Sequence, residues 1–226
     1  MNLLAIDSAG SILSVAVCSG EKIEYEELDA GFKQTEAIMD LITKQMEKAS
    51  LLPKDLNGVL CMAGPGSFTG LRLGYSIAKG LSLALDIPFA PVPTLDCIAL
   101  YGRTVFSECD LTLALIQAVK GSFFYAFFGG TNRLTADKEA SFSELNAILS
   151  QNDYKNKKIA IVGSNSHLFS DTGHKTVPVN CGYAKEIITI AKSQDIFHNV
   201  DSAPLYSGPE YIRKTDAEIN LLGRTG

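Results

Sequence analysis

Histidine, paired cysteine, clustered basic residues and long apolar runs are all scarce in this sequence, and each scarcity excludes something. The three histidines, His167, His174 and His198, lie in the second half and are not spaced as ligands on one helix, so no metal site is expected. The five cysteines (Cys18, Cys61, Cys97, Cys109, Cys181) are scattered, odd in number and without a CxxC pair. That is the pattern of free thiols in a reducing cytosol rather than of a disulfide framework. Lys and Arg number 20 against 25 Asp and Glu, for a net charge of −5, and no basic block exceeds Lys157-Lys158 with nearby Lys155. High-affinity nucleic-acid binding by this chain alone is therefore disfavoured, because such affinity comes largely from neutralising phosphates. Residues 111–130 are mostly apolar, but Gln117, Lys120 and Gly121 sit in the middle. Two strands joined by a turn explain them better than a membrane-crossing helix. Met1 runs almost at once into Asp7, so no signal peptide is expected.

What the chain does have is centred on residues 58–85. Val59 to Ala63 is an apolar run of buried-strand length, and Gly64-Pro65-Gly66-Ser67 cannot continue it. Ser67 or Thr69 then caps a helix running to about Leu85. A strand, glycine turn and helix in this order aim backbone N–H groups at the helix N-terminus, a place that suits an anion. Asp7, Gly64, Gly66 and Ser67 are thus the candidate nucleotide-loop residues, although the P-loop Lys-Ser/Thr pair is missing. The plainer reading of the loop is a tight connection inside an α/β core. Gly70, Gly74 and Ala78 recur every four residues, so one side of the helix has almost no side chain. Another backbone can approach there, either from the same chain or from a partner protein.

In chain order the first half reads βββαβαβα. Short strands over Leu3–Asp7, Ile12–Cys18 and Lys22–Leu28 precede a helix over Thr35–Ala49, with Ile38, Leu41, Ile42 and Met46 on helical spacing. The Val59 strand and Leu71 helix follow, then an edge-like strand over Ile87–Val92 and a helix that Thr94 is expected to cap. This is the pattern of one half of the actin-like (ASKHA), ribonuclease-H-like fold. The second half reads as an eroded copy. It has strands over Leu111–Ala118 and Phe123–Phe128, a helix capped by the box Ser141/Glu144, a strand over Lys158–Val162, an edge strand over Lys175–Val179 and a helix over Tyr183–Ala191. The expected class is α/β, a duplicated fold of two mixed sheets flanked by helices. Residues 1–105 would form the first domain and 106–226 the second with a C-terminal tail.

Three motifs carry a family resemblance: Leu4-Ala-Ile-Asp7, Gly64-Pro-Gly-Ser-Phe-Thr-Gly-Leu-Arg72 and Glu210-Tyr-Ile-Arg213. Together they resemble the TsaB (YeaZ) family of tRNA threonylcarbamoyladenosine synthesis, over essentially the full length. The resemblance implies a non-catalytic role. TsaB-like proteins pair with the paralogous catalytic subunit TsaD and, with the ATPase TsaE, support transfer of a threonylcarbamoyl group to the adenosine next to the anticodon. It implies no cofactor, and contact with tRNA through the complex rather than directly. The family has been grouped with glycoprotease-type peptidases, which is a name and not an expected activity.

The residues test this independently. The first long helix reads Gln34-Thr-Glu-Ala-Ile-Met-Asp40, without the His-x-x-x-His pair that TsaD-like metal binding needs. Where the family usually carries Asp-Ala-Arg at the opening of the second half, this chain has Gln117-Ala118-Val119. Asp7 is the best single candidate for phosphoryl chemistry, but with Gln117 in place of an acidic residue the set is incomplete. Ser67 sits in Gly66-Ser67-Phe68 and not in a Gly-x-Ser-x-Gly elbow, and Cys61 is expected to be buried. No catalytic residue is therefore assigned. The expected partner-binding residues are Ile38, Leu41, Ile42, Gly70, Gly74 and Ala78, on the two first-half helices. A chain with such a face exposed is expected to form a homodimer when alone. The alternative is an actin-like ATPase or small-molecule kinase using the Asp7 cleft.

Overall fold

A computed structural model describes residues 1–118, 121–199 and 208–209. Val119 and the Glu210-Tyr-Ile-Arg213 motif lie outside the described residues. The first half forms β1 (Asn2–Asp7), β2 (Ile12–Ser19), β3 (Lys22–Asp29), α1 (Gln34–Lys48), β4 (Gly58–Gly64), α2 (Phe68–Leu85), β5 (Phe89–Pro93) and α3 (Thr94–Val105). The second forms β6 (Leu111–Gln117), β7 (Ser122–Gly129), β8 (Asn132–Arg133), β9 (Lys138–Ser141), α4 (Phe142–Leu149), α5 (Asn152–Lys155), β10 (Ile159–Gly163), β11 (Lys175–Pro178), α6 (Ala184–Ser193) and α7 (Ile196–Asn199).

The two halves repeat one topology. The first sheet runs β3-β2-β1-β4-β5, with β1–β2 and β2–β3 antiparallel and β1–β4 and β4–β5 parallel. The second runs β8-β7-β6-β10-β11, with β6–β7 antiparallel and β6–β10 and β10–β11 parallel. The apolar stretch at 111–130 is thus a hairpin, β6 and β7, and no described helix is long and apolar enough to cross a membrane. Central strands read as continuous apolar runs because both faces are covered. Residues 3–7 of β1 and all of β4 are buried.

The helices fill three layers. On the outer face of the first sheet, α1 and α2 cover a core that includes Leu4, Ile6, Val15, Ile38, Ile42 and Tyr75. On the outer face of the second, α4 packs with Phe169 over Leu113, Phe123 and Phe127. Between the sheets, α3 and α6 share a core with Leu60, Met62, Ala114, Ala126 and Val162. These two inner helices cross over. The first half's α3 packs mainly on β6 and β10, and the second half's α6 mainly on β1 and β2. Each half therefore supplies a layer of the other, which welds the duplication into one core.

One capping expectation needs correction. Thr94 is the first residue of α3 and not its cap. Pro93 holds the cap position in extended backbone, and the Thr94 hydroxyl is buried without a partner among the described residues. The helix read over Thr35–Ala49 starts one residue earlier, at Gln34, and is continuous with a 3-10 turn over Gly31–Lys33. The Ser141/Glu144 box forms as read, with the Glu144 N–H donating to Ser141 Oγ at 3.3 Å and the Ser141 N–H to Glu144 Oε2 at 2.7 Å.

Candidate functional site

The cleft between the two sheets is where an actin-like fold would do chemistry. Asp7 ends β1 there and is 3% exposed. Its Oδ1 accepts the Ala9 N–H at 3.0 Å, and its Oδ2 accepts the Tyr183 N–H at 2.8 Å. The first bond caps the β1–β2 turn. The second ties the first half to the N-terminus of α6, 176 residues away in sequence. Neighbouring bonds reinforce the junction. Ser14 Oγ accepts the Ala184 N–H at 3.1 Å, and the Gly182 N–H donates to Glu27 Oε2 at 3.0 Å. A Cβ on Gly182 would lie 2.3 Å from the Ser14 side chain, so only glycine lets α6 seat this closely.

The glycine loop is also consumed from within. Ser67 Oγ accepts the Gly70 N–H at 3.3 Å, the cap expected from sequence. The Ser67 N–H donates to Ala9 O at 2.7 Å, and Ser8 Oγ donates to Gly70 O at 2.7 Å. A Cβ on Gly66 would lie 2.8 Å from Ala9 O, and one on Gly70 only 1.9 Å from Ser8 O. The β1–β2 turn therefore sits where an anion would have to sit. This corrects the nucleotide-loop grouping: Asp7 reaches the cleft cavity, whereas Gly64, Gly66 and Ser67 do not line it.

The cavity that Asp7 does line is small and has no cation among the described residues. It measures about 150 Å³ and is bounded by Ile12, Thr94, Ile98, Ile116, Ser164 and Val179, among others, with no Lys or Arg among the described residues. Ligand pockets generally run from roughly 300 Å³ upward. Gln117 is exposed at the rim, where its N–H donates to Ser164 Oγ at 2.8 Å and its side-chain amide accepts from Asn165. Charge in the cleft is negative. Burial, with a smaller push from Glu27, raises the Asp7 carboxyl to about 6 against the two backbone N–H bonds. Burial also raises Glu186, with Asp7 and Glu27 adding to it. Cys181 is pushed up to about 12 by burial and by Glu27 and Glu186, so it is a neutral thiol and no nucleophile. Burial likewise pushes the Cys61 thiol far up.

The raised Asp7 value has a measurable consequence. The folded chain favours the neutral acid, whereas the unfolded chain ionises near 3.8. The stabilisation is full below about pH 4 and is lost as pH rises through about 6, a change of roughly 3 kcal/mol. Chemical denaturation of the protein and of Asp7→Asn at pH 4 and pH 7 is expected to show the parent losing that much relative to the variant. A constant difference would contradict it.

The six expected partner residues all turn inward. Ile38, Leu41 and Ile42 are 1, 6 and 5% exposed, and Ala78 is fully buried. Gly70 and Gly74 press on Ser8, with a Gly74 Cβ 2.8 Å from Ser8 Oγ. The small-residue stripe admits the chain's own β1–β2 turn and not another protein. The apolar residues left outside on these helices are others. Leu83 is 71% and Met39 48% exposed, and Leu73, Ile77 and Leu81 are half-buried along α2. Sequence spacing missed Leu83 because leucines lie all round α2. It also missed Ser14, Gly182 and Tyr183, whose partners are distant in the chain.

These features define a class: a duplicated actin-like chain whose glycine loop is covered by its own β1–β2 turn and whose cleft is crossed by its own hydrogen bonds. The family model described as "TsaD: tRNA N6-adenosine threonylcarbamoyltransferase" matches residues 29–221. The chain is 31% identical to the tRNA threonylcarbamoyladenosine biosynthesis protein TsaB of Buchnera aphidicola subsp. Schizaphis graminum, over 71% of this chain and 77% of that protein. It is also 31% identical to TsaB of Escherichia coli, over 56% of this chain but only 54% of that protein. The solved structure of YeaZ from Pseudomonas aeruginosa shares the fold with a TM-score of 0.75 at 16% identity, covering 93% of this chain and 99% of that one. The chain belongs to the TsaB family.

Proposed function

We propose that this chain is a non-catalytic subunit of tRNA threonylcarbamoyladenosine synthesis that binds TsaD and, with TsaE, supports transfer of the threonylcarbamoyl group to tRNA. The observation that carries the reading is the state of the cleft. Both Asp7 oxygens accept backbone N–H bonds, and the Ser67 N–H is spent on Ala9 O. The cavity holds about 150 Å³, and among the described residues no lysine or arginine lines it. A phosphoryl-transfer site needs room for a triphosphate and cations to neutralise it. These same features speak against the alternative of an ATPase or small-molecule kinase working through Asp7.

In this reading the docking surface is the solvent-facing side of α1 and α2. Leu83 on α2 and Met39 on α1 are its exposed large apolar residues, and Leu73 and Ile77 lie partly buried along another side of α2. Without TsaD the same face pairs two copies of this chain, because a protruding apolar patch gains by being covered. The place of work is the cytoplasm, where tRNA is modified and where the free thiols stay reduced. The test is reconstituted synthesis on tRNA with and without this chain.

A further inference from the structure

Acidic residues outnumber basic ones in this protein, yet one surface cavity is walled by lysines. It measures about 350 Å³, lies at the end of the second sheet away from the cleft, and is lined by Lys155, Lys157, Lys158 and Lys175, with His174 and Glu108. The fold assembles this set. Lys155 ends α5, and Lys157 and Lys158 lead into β10. Lys175 opens β11, which pairs with β10 in the register Ala160↔Lys175 and so places it beside the 157–158 pair. Only the 155–158 part is visible in the linear sequence.

Among the described residues, no side chain neutralises these charges. None of these lysines forms an ion pair among the described residues. The nearby Asp110 carboxylate accepts the Lys158 backbone N–H at 2.8 Å and not a lysine ammonium. Asp171 belongs to the adjoining cavity of about 610 Å³, which shares Lys155, Thr172 and His174 with the first. Burial lowers the His174 value, so this imidazole is neutral at pH 7 and offers a hydrogen bond rather than a charge. Four ammonium groups against one lining carboxylate, around an open concavity, match an extended run of phosphates better than a single small anion.

We propose that this lysine-walled cavity contacts the phosphate backbone of the tRNA when the chain is assembled with TsaD. The proposal rests on the reading that the chain is a subunit of that complex. Four lysines are too few for tight RNA binding by the chain alone, in keeping with its net charge, but enough to add to a site held mainly elsewhere. The contact carries no sequence information and helps to orient the tRNA.

The test uses the full chain assembled with TsaD and an unmodified tRNA transcript, measured across a salt series. The triple variant Lys155→Gln, Lys158→Gln, Lys175→Gln changes only exposed side chains, so folding and TsaD pairing are expected to be unchanged. The expected result is about tenfold weaker tRNA binding at low salt, with the slope of log affinity against log salt reduced by about 2. Inorganic phosphate is expected to compete no better than chloride at equal ionic strength. Unchanged tRNA affinity with intact pairing would overturn the proposal and leave the subunit reading standing. Loss of TsaD pairing by the variant would assign the lysines to a protein interface, and competition by micromolar phosphate would assign them to a small anion; either overturns it. Failure of the parent chain to pair with TsaD would instead overturn the subunit reading.

Discussion

Replacing Leu83 by glutamate is expected to abolish co-elution with TsaD and to leave the fold intact. Leu83 is 71% exposed on α2, so its loss from the isolated chain changes stability by about 0.5 kcal/mol at most. At the centre of an apolar interface the same change removes an anchor and buries an unpaired carboxylate, a cost of at least about 3 kcal/mol or roughly 100-fold in affinity. Met39→Glu, on the neighbouring helix, is expected to act in the same direction with a smaller effect. Ile42→Glu is the contrasting control. Ile42 is 5% exposed and faces the first sheet, so its replacement unfolds the chain rather than unpairing it. Co-elution with TsaD, read beside circular dichroism, separates the outcomes. A folded Leu83→Glu protein that still pairs at parental affinity would place the docking surface elsewhere.

The second large effect is expected at Gly70. Valine there would put its Cβ 1.9 Å from Ser8 O, a backbone atom held by the β1–β2 hairpin. Nothing flexible stands in the way to yield, so α2 must lift from β1. The expected loss is about 3 kcal/mol or more, at the upper end of overpacking costs. Gly80 lies in the same helix, where an added Cβ would meet nothing within 4 Å, and Gly80→Ala is expected to stabilise by roughly 0.5–1 kcal/mol through helix propensity. Denaturation midpoints of the two variants should therefore move in opposite directions. A Gly70→Val protein as stable as the parent would contradict the close approach of the turn to α2.

The contrast between these two glycines shows how far the sequence reads. Strands, helices and their order were legible because apolar runs, turn residues and caps are local signals. Ser67 and the Ser141/Glu144 box cap the helices they were expected to cap. The orientation of α2 was not legible. Gly70, Gly74 and Ala78 are compatible with a partner's backbone or with the chain's own, and only the position of Ser8 and Ala9 decides between them. With the small residues turned inward, the partner-facing residue we propose is Leu83, which is exposed, and not Gly74 or Ala78.

Long-range pairing hid the rest. Asp7 could be read as an actin-like aspartate, but its second oxygen is occupied by the N–H of Tyr183, a residue that no local pattern connects with it. The crossing-over of α3 and α6 is equally invisible, because an amphipathic helix does not specify which sheet it covers. Thr94 shows the limit of a propensity rule. A threonine before an apolar helix reads as a cap, yet Pro93 takes that place and leaves the hydroxyl buried without a partner among the described residues. Lys175 joins Lys155 only through the parallel pairing of β10 and β11.

The most direct measurement is an omission assay. Threonylcarbamoyladenosine formation would be followed with TsaD, TsaE, the enzyme that makes the activated threonylcarbamoyl intermediate, ATP and unmodified tRNA, with and without this chain, and ATP hydrolysis by this chain alone would be measured in parallel. The expected result is product that depends on the chain, with no ATP turnover by the chain itself. Equal product in both reactions, or turnover by the isolated chain that Asp7→Ala abolishes, would contradict a non-catalytic supporting role and return attention to the cleft.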